Sequence, residues 1–299
     1  MYLYFRCVVL FILCLGSVQA QLVTNNTSSA NDLVRNVLAG EGVAISNVTY
    51  SGSAIAIGEF FGSSSNVGLN HGIILSTGSV LNGTNVDGVQ NGPAGPNNNP
   101  QGQTGFSGPG DADLSAVVSG TKSFDAAILE FDFVPEGDTV KFRYVFGSEE
   151  YPEWVGTNNN DAFGFFISGP GIGGTKNIAL LPDGSTVVSI NSVNIGSNNS
   201  FFINNGNGSA GTPQFTNPNV VNFDGLTVVL QAISKVTPCE SYHLKIVIAD
   251  MQDDKFDSGV FLEANSLNST PKFEVKQEVS FSPGGSKVEI YEGCSQGEL

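Results

Sequence analysis

Basic residues are scarce. The chain has 299 residues, with 12 Lys and Arg against 28 Asp and Glu, a formal net charge of -16. A chain of that sign is repelled by phosphate backbones, which excludes nucleic acid as a partner. Histidine and cysteine are scarcer still, at two and four. Two histidines leave little material for a zinc site or for a Ser-His or Cys-His nucleophile with a third orienting group. Charged residues of all kinds make up 13%, about half the usual share of roughly 25%. No apolar run after the N-terminus approaches the ~20 residues of a membrane span.

What is present is Gly, Asn, Ser, Thr and Phe. There are 37 Gly and 21 Phe, and 40% of residues are hydrophobic. That is enough to build a core, and the mixture favours short strands joined by turns.

Residues 1–20 read as a secretory signal: Arg6 near the start, the apolar run Cys7 to Leu15, and small residues at Ser17-Val18-Gln19-Ala20. Its removal would take Arg6, Cys7 and Cys14, leaving Cys239 and Cys294, 55 positions apart; two such cysteines do not make a disulfide framework, and a single bridge between them and two separate roles both stay open. The expected destination is outside the cell or on its surface.

Asn31 to Leu38 is the one convincing helix, with Asn31 or Asp32 as cap, apolar residues at Leu33, Val34, Val37 and Leu38, and Gly40 as stop. Thereafter the pattern has period two. Strands are expected at 43–50, 54–60, 73–76, 127–134, 139–146, 161–168, 177–181, 186–190, 201–204, 226–233, 242–249 and 260–262. Residues 127–134 and 139–146 are expected to form a hairpin across Pro135-Glu136-Gly137-Asp138. Residues 78–122 form a long Gly/Pro/Asn stretch with little periodicity. The expected fold is mainly β, an antiparallel, jelly-roll-like sandwich with one short N-terminal helix. It spans residues 21–268, and Asn268-Ser269-Thr270-Pro271 opens a linker into a further β module over 269–299. Cys294 is then expected to pair with a cysteine further along a longer modular protein.

Several segments occur together in a specific order: Ile45–Gly52, Gly72–Gly78, then Phe146-Gly147-Ser148-Glu149-Glu150-Tyr151-Pro152-Glu153. Asn160–Gly171, Pro238-Cys239, Tyr242–Lys245, Ile248-Ala249-Asp250 and Asp257–Ala264 follow. In that order they resemble the bacterial choice-of-anchor L domain family over roughly residues 31–266. The resemblance implies an N-terminal module of a secreted or surface protein, as in many Bacteroidota. Its sorting signal, often of the type IX secretion or gliding-motility kind, would lie beyond Leu299. It implies no reaction.

The candidate chemistry is carboxylate chemistry. Glu149, Glu150 and Glu153 follow one strand, and Asp161 opens another. Asp250, Asp253, Asp254 and Asp257 follow a third, and Asp111 and Asp113 sit in the long loop. Ca²⁺ takes six to eight oxygen ligands from such groups, so Glu149, Glu150, Asp161, Asp250 and Asp257 are the expected metal ligands and Ca²⁺ the expected ion. The alternative is a set of solvated acidic loops. Tyr151 and Trp154 beside them are candidates to stack on a sugar, or else to anchor the loop. His243 is read as structural. The leading function is therefore a non-catalytic module for adhesion or glycan binding, with an extracellular glycan or protein as partner. The alternatives are an extracellular hydrolase using acidic residues such as Glu149 with Asp250, and a structural spacer.

Overall fold

A computed structural model describes residues 22–63, 65–81, 105–118, 122–205, 221 and 223–271. The strands are β1 (Val23–Asn25), β2 (Val43–Ser51), β3 (Ile57–Phe61), β4 (His71–Ser76), β5 (Ser123–Pro135), β6 (Thr139–Ser148) and β7 (Ala162–Ser168). They continue with β8 (Thr175–Asn177), β9 (Phe202–Asn204), β10 (Gly225–Thr227), β11 (Leu230–Lys235), β12 (Tyr242–Met251) and β13 (Ser258–Glu263). One sheet runs β1-β3-β4-β13-β6-β10-β9, with β11 also on β6; the other runs β2-β5-β12-β7-β8. Every strand pairing among the described residues is antiparallel. The two packed sheets make the expected sandwich. The expected signal segment, and all but the first residues of the expected further module, lie outside the described residues.

Period two explains the layers. On β6, Val140, Phe142, Tyr144 and Phe146 point into the space between the sheets; on β7, Phe163, Phe165 and Ile167 do so, and on β12, Leu244, Ile246 and Ile248. Phe165 lies 4.8 Å from Phe142 and 5.0 Å from Tyr144, ring centre to ring centre, both edge-on. Such contacts add about 0.5–1.5 kcal/mol each beyond area burial. The opposite faces are also covered. Val145, Phe261 and Phe223 form a second cluster outside the first sheet. Outside the second sheet, Val247, Ala249 and Met251 pack under Leu114 of a short helix, α2 (Ala112–Val117). That helix falls in the stretch expected to be a loop; Asp111 caps it by accepting from Leu114 N at 2.9 Å.

Four expectations need correction. Residues 127–134 and 139–146 do not pair as a hairpin, since β5 joins β2 and β12 in one sheet while β6 joins β10, β11 and β13 in the other. Residues 136–138 carry the chain across the sandwich edge. There, a Cβ on Gly137 would lie 2.5 Å from Thr270 O. The expected strand at 226–233 is broken at Val228, whose N–H bonds Phe201 O at 2.8 Å, into β10 and β11. The expected strands at 177–181 and 186–190 are β8 plus isolated bridges, Leu180 to Val187 and Ala162 to Ser189. The N-terminal helix is one α turn, α1 (Ala30–Asp32), running into a π-helix, Leu33–Leu38. Its cap is Ser29, whose Oγ accepts from Asp32 N at 3.1 Å. The wider π turn places Leu33, Val34, Val37 and Leu38 all in the core.

Candidate functional site

The alternation that fills the core continues past the last apolar residue at one end of the sandwich. The inward register of β6 runs from Phe146 to Ser148 and Glu150; that of β7 runs back from Phe163 to Asp161. On β12 it runs from Ile248 to Asp250, on β13 back from Val260 to Ser258, and on β4 from Leu75 to Thr77. Polar side chains thus cap the apolar core between the sheets. Glu150 and Asp250 are 1% exposed, Asp161 0% and Asp257 4%.

The backbone ties these strand ends together. Glu149 N donates to Asp257 O at 3.0 Å, and Thr77 N donates to Ser258 O at 2.9 Å. Ser258 N donates to Thr77 Oγ1 at 2.9 Å. Asp161 spans both sheets: Oδ1 accepts from Met251 N at 2.9 Å and Oδ2 from Ser258 Oγ at 2.7 Å. A register shift in the β12–β5 ladder beside Asp250 sets the local twist. Opposite it, Asp125 adopts φ 49° and accepts from Phe106 N at 2.6 Å and from Gly108 N.

Glu150 and Asp250 are different in kind. Neither oxygen of either side chain makes a hydrogen bond of normal geometry. Burial is the first cause of their perturbation. Glu150 is pushed up to about 11 by desolvation, then by the charges of Asp161, Asp253 and Glu153. Asp250 is raised well above its ordinary range by burial, then by Asp161 and Asp257, with the Thr77 hydroxyl offsetting a little. Asp161 rises to about 7, because burial outweighs the bonds with Ser258, Met251 and Asp250. Every charged neighbour acting on these three is a carboxylate. Among the described residues, no three His, Cys, Asp or Glu side chains already stand as a ready-made metal grip.

Of the expected ligands, Glu150, Asp161, Asp250 and Asp257 come together. Glu149 lies beside them, half-buried, with its N–H on Asp257 O at 3.0 Å. Asp111 and Asp113 are elsewhere, outside the second sheet, paired with Lys245 Nζ at 2.5 and 2.8 Å. Thr77 and Ser258 join the cluster without standing out in the sequence; the inward register was the signal that could have found them. Asp253, read only as part of an acidic run, accepts from Asn159 Nδ2 at 2.8 Å and bears on both Glu150 and Asp161.

The aromatic pair divides. Tyr151 is 1% exposed and donates its hydroxyl to Val193 O at 2.6 Å, so it anchors the loop. Trp154 is 37% exposed, with its ring 6.0 Å from that of Phe256. His243 stands on the outer face of the second sheet, Nδ1 2.8 Å from Asp132 and Nε2 3.4 Å from Glu130. Cys239 is in a disulfide; Cys7, Cys14 and Cys294 lie outside the described residues.

No described helix is long and apolar enough to cross a membrane. Comparison with curated proteins and with solved structures returns no match. The family comparison does: residues 22–268 match the Choice-of-anchor L domain. That span holds both sheets and the acid cluster, and the chain belongs to the choice-of-anchor L domain family.

Proposed function

We propose that the chain is a non-catalytic extracellular interaction module, of adhesive or glycan-binding kind, which meets its partner at the loop end of the sandwich. The family itself points to a surface or secreted module. Export by a type IX or gliding-motility-associated route belongs to the same proposal.

The observation that carries the reading is Trp154, the chain's single tryptophan, held at the surface on a braced loop. Its segment is rooted by buried Tyr151. Gly156 N donates to Asn191 Oδ1 at 2.5 Å, and Asn191 Nδ2 donates to Thr157 O at 2.9 Å. A braced aromatic loses little freedom on binding, which favours it as a platform for a sugar face or an apolar side chain. Exposed Glu153 beside it gives the platform a polar rim.

The burial of the acids favours this reading over a hydrolase. A glycosidase needs two carboxylates flanking an open cleft with room for the glycosidic bond, whereas Glu150, Asp161 and Asp250 are sealed between the sheets. The test is retention of the purified chain on a glycan array and on immobilised surface polysaccharides, with Trp154→Ala beside it. Binding that falls at least tenfold in Trp154→Ala at an unchanged melting temperature supports the proposal. A wild-type chain that binds nothing supports a structural spacer. Turnover of a glycan that vanishes in Glu150→Gln supports the hydrolase.

A further inference from the structure

We propose that Glu150, Asp161, Asp250 and Asp257 form a divalent-cation site for Ca²⁺, and that the ion clamps the two sheets together at this end of the sandwich. The inference does not depend on what the Trp154 loop binds.

Topology comes first. Glu150 follows β6 and Asp257 precedes β13, neighbouring strands of one sheet; Asp161 precedes β7 and Asp250 lies on β12, neighbours in the other. An ion held by all four is bonded to both sheets. A loop-bound cation would order only its own loop; this one would join the halves of the fold.

The second observation points to a ligand independently. Glu150 and Asp250 are both 1% exposed, yet none of their four side-chain oxygens makes a hydrogen bond of normal geometry. Leaving a buried polar group unpaired is destabilising, and more so when it is charged. Native proteins seldom keep such atoms without a partner. Among the described residues, no basic side chain is named among the groups acting on either acid, so the charges that bear on them there are all negative. A cation is the partner that satisfies all four oxygens and relieves the repulsion among the acids in one step.

The donor set selects the ion. Four carboxylates with the Thr77 and Ser258 hydroxyls nearby are all hard oxygen donors, which suits Ca²⁺ with its six to eight oxygens at about 2.3–2.6 Å. Zn²⁺ prefers nitrogen and sulfur, which the cluster lacks. Asp161 is fixed by Met251 N and Ser258 Oγ. The unbonded carboxylates of Glu150 and Asp250 are the ones able to swing onto an ion, which fits the absence of a ready-made grip.

The experiment uses the full chain stripped with chelator at pH 7.5. Ca²⁺ is titrated by calorimetry and melting is followed with Ca²⁺, Mg²⁺ or chelator. One saturable Ca²⁺ site is expected. At about a hundredfold excess over Kd the melting temperature should rise by roughly 5–10 °C, with a smaller effect of Mg²⁺. Glu150→Gln and Asp250→Asn should each abolish both signals, while Asp183→Asn, on an exposed turn remote in sequence, should keep them. If either variant fails to fold, the wild type still decides: coincident melts in Ca²⁺ and chelator overturn the proposal. Ca²⁺ binding that survives in both folded variants overturns it as well.

Discussion

Buried acids with raised proton affinity make stability depend on pH in an unusual direction. Asp161 moves from an ordinary 3.8 to about 7, and a change of that size corresponds to about 4 kcal/mol. A group whose folded value is raised holds its proton more tightly in the folded chain. Its contribution is therefore complete below pH ~4 and is lost as pH climbs through the folded value near 7. Glu150 and Asp250 are raised too, so they add to the same decline. In chelator, the melting temperature should fall between pH 5 and pH 8, by about 5–10 °C for a few kcal/mol in a domain of this size. The double variant Glu150→Gln, Asp250→Asn should flatten the slope. With saturating Ca²⁺ the slope should flatten or reverse, because metal binding competes with protons and strengthens with pH. Differential scanning calorimetry across that range is the assay. A midpoint that stays constant or rises from pH 5 to 8 in chelator would refute the reasoning.

Two further substitutions test the frame that carries the cluster. Tyr151→Phe removes the hydroxyl bonded to Val193 O at 2.6 Å; it should cost about 1–2 kcal/mol in urea unfolding and loosen the Trp154 loop to proteolysis. Phe165→Ala, at 0% exposure among Phe142, Tyr144 and Phe163, should cost about 3–5 kcal/mol while leaving one Ca²⁺ site in whatever fraction folds.

Much of the fold was legible because period two is a local property. The runs around Phe142, Phe165 and Ile246 announce strands whichever sheet they join. The same pattern says nothing about pairing, and residues 127–146 show it. Pro135 to Asp138 looks like a hairpin turn, but both flanking strands carry a full apolar face for the core. Each satisfied its ladder with distant partners, β5 with β12 and β6 with β13. The placing of the candidate residues was legible for a related reason. Asp161, Asp250 and Glu150 keep step with the inward residues of their strands, so the register that builds the core delivers them to its end. Glu149 is one residue out of that step. Tyr151 was ambiguous because the sequence gives its aromatic ring but not the carbonyl of Val193, 42 positions away, that receives its hydroxyl. Helix α2 was missed because four of its six residues are Ala, Asp or Ser, too few apolar positions to show a period.

Crystals of the full chain grown with Ca²⁺, with a parallel lanthanide soak for anomalous scattering, bear most directly on the central claim. A single strong peak within about 2.3–2.6 Å of oxygens from Glu150, Asp161, Asp250 and Asp257, between the ends of β6, β7, β12 and β13, is the predicted result. Clear density for the four carboxylates with no ion among them, at a Ca²⁺ concentration that saturates binding in solution, would contradict it.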